Sequence, residues 1–125
     1  MIQSKIKSYA KLNLALNITG KNSSLHKIET LVAFVKLHDQ IMIKEKKSKK
    51  NRIQFIGKFS KNIGKKNTIS TLLKVLEKKK LLKNKKFSIK INKFIPNKAG
   101  LGGGSMNAAS ILRYFFKKKI IKVNK

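Results

Sequence analysis

A glycine-rich stretch close to the end of the sequence constrains the fold of this chain more than any other feature. The stretch AGLGGGSMNAAS, residues 99–110, places four glycines within five positions. Before it, FSIKINKF alternates apolar and polar residues, which predicts a half-buried strand that ends at Pro96. After it, apolar residues recur at helical spacing from Ser105 to about Lys119. The order is therefore strand, glycine loop and helix. The predicted apolar face of the helix consists of Ala108, Ala109, Ile111, Leu112, Phe115 and Phe116.

Bare backbone in front of a helix is typical of an anion site. A helix N-terminus presents unpaired N–H groups and a dipole that favours an anion, and glycine lets the backbone approach a phosphate without an intervening Cβ. A Walker A loop needs a lysine after its last glycine, where this chain has Ser105 and Met106. A dinucleotide-binding loop needs an acid about 20 residues further on, and no Asp or Glu follows Glu77. The sequence leaves a phosphate site of another class, or a flexible turn before a helix.

The first half of the chain has the alternation that is typical of strands. Residues 2–18 repeat apolar positions at a period near two, which predicts one or two strands that Gly20 ends. The polar segment KNSSLHK predicts a loop. Two apolar runs follow, at 28–37 and 41–43, and the polar residues 38–40 between them predict a tight turn that joins two antiparallel strands.

A helical period replaces this alternation after Asn67. Residues 51–56 first predict another short strand. Asn67 is then a candidate N-cap, and an apolar stripe with lysines behind it predicts an amphipathic helix. The residues of the stripe are Ile69, Leu72, Leu73 and Leu76. Together these segments predict an α+β fold with a mostly antiparallel sheet and helices packed against it.

The charge of the chain raises the question of a nucleic-acid partner. The formal net charge is +28, which favours binding to a polyanion such as RNA. All but two of the 32 basic residues are lysines, however, and Lys, Ile and Asn share A/T-rich codons, so a biased genome also explains the composition. Arginine, which base edges and bidentate phosphate contacts favour, is limited to Arg52 and Arg113. We therefore expect nonspecific binding at low salt and no specific nucleic-acid partner.

The composition also disfavours several other classes of protein. Cysteine is absent, which removes disulfides and thiolate chemistry, and two histidines give little support for a metal site. No run approaches the roughly 20 apolar residues of a membrane-spanning helix, and the N-terminal residues lack the continuous apolar core of a signal peptide. The sequence predicts a cytoplasmic chain with no membrane partner, of one domain or part of a larger protein, and leaves the oligomeric state open.

Three segments together resemble the GHMP small-molecule kinases. PNKAGLGGGSMNAAS, residues 96–110, is similar to the phosphate loop of that family, P-x-x-x-G-L-G-G-G-S-x-N-A-A. SYAKLNLALNITGK is similar to the opening A-K-x-N-L strand, and SLHKIETL to the G-Y-H-x-L-x-T segment. The resemblance implies the N-terminal domain of a GHMP kinase, with a fold akin to domain 2 of ribosomal protein S5. It also implies ATP as the phosphate donor, with Mg²⁺.

The resemblance assigns roles residue by residue. Lys11 matches the catalytic lysine, which stabilises charge on the transferring phosphoryl group and polarises the acceptor hydroxyl, although periodicity alone also allows a lysine on the solvent face. Asn13, two positions on and so on the same face, is the companion that contacts substrate. His26 matches the histidine that recognises a cytosine ring. Ser105 would supply the hydroxyl nearest the phosphates and Mg²⁺. The implied ATP-binding residues are Pro96, Asn97, Lys98, Ala99, Gly100, Leu101, Gly102, Gly103, Gly104, Ser105 and Met106.

The triple glycine favours one branch of the family. Members of this branch phosphorylate the 2-hydroxyl of cytidine diphosphate methylerythritol, a small-molecule substrate, in the non-mevalonate route to isoprenoid precursors. The chain departs from the usual pattern at three positions: Ser24 replaces a glycine, Leu25 an aromatic residue able to stack on the base, and Met106 a serine. Recognition of cytidine is therefore less firmly implied than the phosphate site.

The chain has too few acidic residues for the whole reaction. It contains Glu29, Asp39, Glu45 and Glu77, and none lies in a segment that resembles the catalytic aspartate of the family. That aspartate follows the glycine-loop helix in the family. The resemblance implies that residues 1–125 are the N-terminal, ATP-binding domain of a truncated kinase that lacks its C-terminal domain. We expect this piece to have no kinase activity alone.

Two alternatives stay open. Another GHMP kinase would act on a different alcohol. A basic RNA-binding protein with the S5-like fold would gather lysines on one face and expose aromatic residues for stacking. The seven Phe and two Tyr of this chain mostly fall at core-like positions in the sequence pattern, which favours the kinase.

Overall fold

A mixed four-stranded sheet carries two helices on one face. The computed structural model describes residues 3–22, 25–61, 63–96 and 103–122, with side chains for 3–11 and for those from 36 onward. Within them, the strands are β1 (Ser4–Asn22), β2 (Leu25–Lys46), β3 (Arg52–Ile56) and β4 (Lys86–Asn92), and the helices are α1 (Thr68–Lys78) and α2 (Gly103–Lys117). The strand order is β1-β2-β4-β3. Only the β3–β4 pair is parallel among these strands, which confirms the predicted α+β fold with a mostly antiparallel sheet.

The first two strands form one long antiparallel hairpin. β1 continues past Gly20 to Asn22, and β2 begins at Leu25. Most of the predicted loop KNSSLHK therefore belongs to strands, apart from residues 23–24, which lie outside the described residues. Three register shifts along the ladder allow so long a pair of strands to bend.

The turn predicted at residues 38–40 is wrong, because β2 runs through them without interruption. These three residues pair in turn with Tyr9, Ser8 and Lys7 of β1. Polar residues usually signal a solvated turn, but Asp39 is fully buried and its carboxylate is hydrogen-bonded within the protein. A satisfied polar side chain can occupy a central strand, and the pattern of hydropathy does not reveal that.

The parallel pair β3 and β4 is joined by a crossover that contains α1, as parallel strands require. The short strand predicted before this connection and the helix predicted within it are both confirmed. Asn67 caps α1, because its Oδ1 accepts the backbone N–H of Ser70 at 2.9 Å and its own N–H donates to the Ser70 hydroxyl at 2.9 Å. This reciprocal arrangement is a capping box, which satisfies two N–H groups that the helix leaves unpaired.

The core lies between the sheet and the two helices. In β4, the predicted inward residues Phe87, Ile89 and Ile91 are buried and the intervening Lys90 is exposed, which confirms the alternation. The Phe87 ring meets the Phe115 ring of α2 with centroids 4.9 Å apart. The buried helix residues of the core are Ile69, Leu73, Leu76, Ile111 and Phe115.

The buried face of α2 differs from the predicted one. Phe115 is buried as predicted, but Ala109 and Phe116 are exposed. The buried stripe instead includes two polar residues, Asn107 and Ser110. Hydrophobicity alone misplaces the stripe, because a side chain such as Asn107 is hydrogen-bonded in the interior.

The strand β4 ends at Asn92, four residues before Pro96, so the proline is not what ends it. The next N–H, that of Lys93, donates to the carbonyl of Ile56 at 2.7 Å. Gly57 follows with a φ of +100°. A Cβ on Gly57 would lie 2.9 Å from both the backbone nitrogen and the backbone oxygen of Lys93. Glycine is required here both by its conformation and by this close approach of two backbones.

We expect Gly57→Ala to lower the free energy of unfolding by at least about 2 kcal/mol, because it adds left-handed strain and a clash with backbone. Gly64→Ala is the matched control, since a Cβ there meets nothing within 4 Å; its effect should stay below about 1 kcal/mol. Urea unfolding of both variants measures the difference. Equal stability of the two variants would contradict the prediction.

Candidate functional site

Buried polar side chains cross the sheet in a row beneath α2. Ser8 of β1 pairs with Asp39 of β2. The neighbouring pair is Gln40 with Asn92, so Lys93 is the next residue across from Asp39. Ser8 and Asp39 are fully buried, and Lys93 is 2% exposed. Directly opposed residues on adjacent strands have Cβ atoms about 5 Å apart, so these side chains meet.

The Asp39 carboxylate holds Lys93 and the two residues after it. Lys93 Nζ lies 2.5 Å from Asp39 Oδ2. Asp39 Oδ1 accepts the backbone N–H of Phe94 at 2.7 Å and that of Ile95 at 2.9 Å. The chain leaves the sheet at this point, and a buried backbone N–H still needs an acceptor. A side chain from β2 therefore replaces the carbonyls that a paired strand would offer.

Asn107 connects α2 to this row. Its Nδ2 donates to Ser8 Oγ at 2.9 Å and to Asp39 Oδ2 at 3.1 Å, while its Oδ1 accepts from Lys93 Nζ at 3.0 Å. Asn107 is 1% exposed. We refer to Ser8, Asp39, Lys93 and Asn107 as the polar row. Among the described residues, every buried side-chain nitrogen and oxygen has a hydrogen-bond partner, so the polar row is fully satisfied.

The polar row is the part of the site that sequence patterns miss. They assign Asp39 to a turn and give no role to Lys93 or to the side chain of Asn107. The available signal is the alternation of inward and outward positions along each strand. Lys93 continues the inward positions of β4, and Asp39 precedes the inward positions of β2 at the same spacing of two. Two oppositely charged residues, each at a position of its strand where the alternation expects an apolar side chain, indicate a buried ion pair.

The first turn of α2 is bare and free of acidic residues. Ser105 is exposed and Met106 is half-buried. The Thr68 hydroxyl donates to the carbonyl of Gly104 at 2.9 Å, which fixes the start of α2 against the start of α1. An exposed helix N-terminus without carboxylates favours an anion.

The described residues include only part of the predicted phosphate loop. Pro96 is half-buried on the entry side, and the exit side begins at Gly103, the first residue of α2. The predicted phosphate-binding residues that lie outside the described ones are Asn97, Lys98, Ala99, Gly100, Leu101 and Gly102.

The packing of α2 on β1 gives the position of Lys11. A cavity of about 460 Å³ between the two elements is lined by residues 5–7 of β1 and by residues of α2 between 110 and 117. Ser8 contacts Asn107, which is nearer the start of α2. The two elements therefore run in opposite directions. Lys11, three residues beyond Ser8 and about 10 Å along the strand, lies toward the N-terminal end of α2 and is half-buried.

Asn13 and His26 are placed by their backbone alone. Asn13 pairs with Val32, two positions along β1 from Lys11, and His26 pairs with Lys21, ten positions along. Ten residues correspond to about 30 Å of straight strand, and two of the register shifts lie between these positions. That His26 and Lys11 contact one substrate stays a prediction.

The acidic side chains that the structure describes are all paired with lysines. Glu45 lies 3.3 Å from Lys85, and Glu77 lies 2.5 Å from Lys86. Asp39 is engaged in the polar row. Among the described residues, no group of three His, Cys, Asp or Glu side chains converges to hold a metal ion. A cation bound here would therefore take most of its oxygen ligands from a bound small molecule and few from the described side chains.

Among the described residues, no helix is both long enough and apolar enough to cross a membrane.

The exposure of the aromatic residues bears on the RNA-binding alternative. Phe87 and Phe115 are buried, but Tyr9, Phe94 and Phe116 are each about 40% exposed. These three exposed rings are exceptions to the expectation that the aromatic residues mostly lie at core positions, so that expectation does not by itself disfavour RNA binding.

Comparison with known proteins gives the class of this domain. Residues 67–122 match the family model described as GHMP kinases N terminal domain. The fold resembles a crystal structure of homoserine kinase from Cytophaga hutchinsonii, with a TM-score of 0.56 and 18% identity over 86% of this chain and 32% of that one. Residues 67–122 therefore match the GHMP kinase family, and the chain has the fold of the N-terminal domain of these kinases.

Within the family, one enzyme recurs among the similar proteins. The chain is 65% identical over 121 residues to 4-diphosphocytidyl-2-C-methyl-D-erythritol kinase of Pelagibacter ubique, which covers 97% of this chain and 43% of that protein. It also resembles a crystal structure of 4-(cytidine 5'-diphospho)-2C-methyl-D-erythritol kinase, with a TM-score of 0.71 and 26% identity over 97% of this chain and 42% of that one. The chain thus spans less than half the length of these two relatives.

We expect Lys93→Met to lower the free energy of unfolding by about 3–5 kcal/mol, because it leaves the Asp39 carboxylate buried without its cation. The double variant Asp39→Asn/Lys93→Met removes both charges and should recover more than half of this loss. Lys86→Met is the control, since its ion pair with Glu77 is partly exposed and worth at most about 1 kcal/mol. Urea unfolding measures all three variants. A double variant less stable than Lys93→Met would contradict the assignment.

Proposed function

We propose that this chain forms the ATP-binding part of a kinase that phosphorylates the 2-hydroxyl of 4-diphosphocytidyl-2-C-methyl-D-erythritol, in the non-mevalonate route to isoprenoid precursors. The observation that carries the proposal is the 65% identity to the Pelagibacter kinase, which extends over 97% of this chain. The acid-free first turn of α2, behind a glycine-rich segment, is the structural feature that supports it.

The phosphates of ATP would bind along residues 96–106. The backbone N–H groups of the first turn of α2 and the exposed Ser105 hydroxyl would donate to phosphate oxygens. No carboxylate in that turn would repel them. Mg²⁺ fits the same place, because it keeps several waters and binds mainly through substrate phosphates. Ser105 would be its protein ligand.

Lys11 would act on the reacting groups. Its strand position lies toward the N-terminal end of α2, the end at which the phosphates would bind. A fixed ammonium group there would stabilise charge on the transferring phosphoryl group and polarise the acceptor hydroxyl. Asn13, two positions further along β1, would contact the alcohol, and His26 would hydrogen-bond the cytosine ring.

The carboxylate that orients the acceptor hydroxyl would come from outside these 125 residues. Asp39, Glu45 and Glu77 are each paired with a lysine. Glu29 lies in the β1–β2 hairpin opposite Asn17. The chain spans 43% of the length of the Pelagibacter relative, and we propose that the corresponding remainder of the kinase supplies the aspartate and closes the substrate site.

In the full-length kinase, we expect Lys11→Ala to lower kcat by about 100-fold to 1,000-fold, because one preorganised charge at the transition state is lost. Lys7→Ala is the control, since Lys7 is an exposed lysine of the same strand, and its kcat should stay within about twofold of the parent. A coupled assay of ADP release measures both. A Lys11→Ala enzyme that retains the parental kcat would overturn the catalytic role.

We expect the isolated 125-residue chain to release no ADP with cytidine diphosphate methylerythritol, since it offers no unpaired carboxylate among its described side chains. Fusion to the C-terminal remainder of the Pelagibacter relative should restore ATP-dependent phosphorylation. Homoserine serves as the control alcohol. Faster turnover of homoserine than of the cytidine substrate would overturn the proposed substrate, and turnover by the isolated chain would overturn the proposed division of the site.

A further inference from the structure

We propose that Asp39, Lys93 and Asn107 are positioning residues for ATP: they fix the two segments on either side of the glycine loop relative to each other, and so set the affinity of the site for the phosphates. The inference rests on the proposed function, because it concerns the same phosphate site. None of the three side chains would touch ATP, since each is at least 98% buried.

The entry to the loop is fixed by one carboxylate. Asp39 Oδ1 accepts the N–H groups of Phe94 and Ile95 at 2.7 and 2.9 Å. These are the last two N–H groups before Pro96, which has none. Ile95 is fully buried, so the chain enters the loop from a position held by both backbone and side chain. The carboxylate sits in the central strand β2 and is held from the other side by Lys93.

The exit from the loop is fixed by the same carboxylate through Asn107. Asn107 lies one turn into α2 and bonds Asp39 Oδ2 at 3.1 Å and Lys93 Nζ at 3.0 Å. Its third contact, with Ser8, attaches the helix to β1. These bonds set both the depth and the rotation of the first turn of α2. The direction in which that turn presents its N–H groups therefore depends on Asn107.

Directional bonds suit this task better than apolar packing. Hydrophobic burial has no preferred direction, whereas hydrogen bonds weaken steeply as donor and acceptor become misaligned. Four donors converge on the two oxygens of Asp39: Lys93 Nζ, the N–H groups of Phe94 and Ile95, and Asn107 Nδ2. The Asp39 carboxylate thus sets the spacing between the end of β4 and the start of α2. A shift of either segment breaks bonds made by the other.

Two double variants of the full-length kinase separate positioning from stability. Asp39→Asn/Lys93→Met removes both charges but keeps an oxygen that accepts the N–H groups of Phe94 and Ile95. Asp39→Leu/Lys93→Met also leaves no unpaired charge, but its apolar side chain at position 39 lacks that oxygen. The measurements are the Kd for a non-hydrolysable ATP analogue, the KM for ATP and for the alcohol, kcat, and the thermal midpoint of unfolding. Ile111→Val, which trims a buried residue of α2 outside the polar row, controls for general destabilisation.

We expect Asp39→Leu/Lys93→Met to weaken Kd and KM for ATP by about tenfold or more relative to Asp39→Asn/Lys93→Met, with the KM for the alcohol within about twofold. Ile111→Val should leave both KM values unchanged whatever its thermal midpoint.

Equal ATP affinity of the two double variants, or an equal loss for ATP and alcohol, would overturn the inference while leaving the proposed function intact. A parent kinase that binds the ATP analogue but phosphorylates another alcohol would overturn only the proposed substrate. Failure of the parent to bind the analogue would overturn both.

Discussion

The arrangement around the glycine loop depends on the buried carboxylate of Asp39. It lies in the central strand of the β1-β2-β4 part of the sheet and accepts hydrogen bonds from a lysine side chain, two backbone N–H groups and an asparagine side chain. An unpaired charge at this depth would cost several kcal/mol. The fold removes that cost by bringing Lys93 across from β4 and Asn107 down from α2. The same contacts decide where the chain leaves the sheet and where the next helix lies.

The elements that are uniform in pattern could be predicted from the sequence. β4 alternates apolar and polar residues with little interruption, and α1 carries an apolar stripe behind an N-cap that the structure confirms in Asn67. Local sequence determines both, because side-chain periodicity and capping act within a few residues. The helix that follows the glycine-rich segment was predictable for the same reason, since its apolar spacing is local. That this segment binds phosphate stays a prediction.

The prediction failed where long-range contacts decide the structure. Residues 38–40 read as a turn, and only their partners in β1 and β4 explain why a buried aspartate continues the strand. The apolar face of α2 was misplaced by the burial of Asn107, whose three partners lie on three different strands or strand ends. Local sequence patterns do not determine how segments that are distant in the chain pair with each other. The one available sign was that Asp39 and Lys93 both fall at inward-facing positions of their strands. This indicates an ion pair only when the two strands are known to be neighbours.

The charge balance of the polar row also explains how a carboxylate can lie so near the proposed phosphate site. An isolated aspartate beneath the first turn of α2 would oppose the field of the helix N-terminus and repel phosphate. Lys93 lies 2.5 Å from Asp39 and Asn107 is neutral, so the polar row has no net charge. Its directional bonds can therefore order the segments that flank the loop without weakening the attraction of the helix end for phosphate. Replacing Lys93 alone would disturb both properties at once, whereas the paired replacements change the bonds and leave the row neutral.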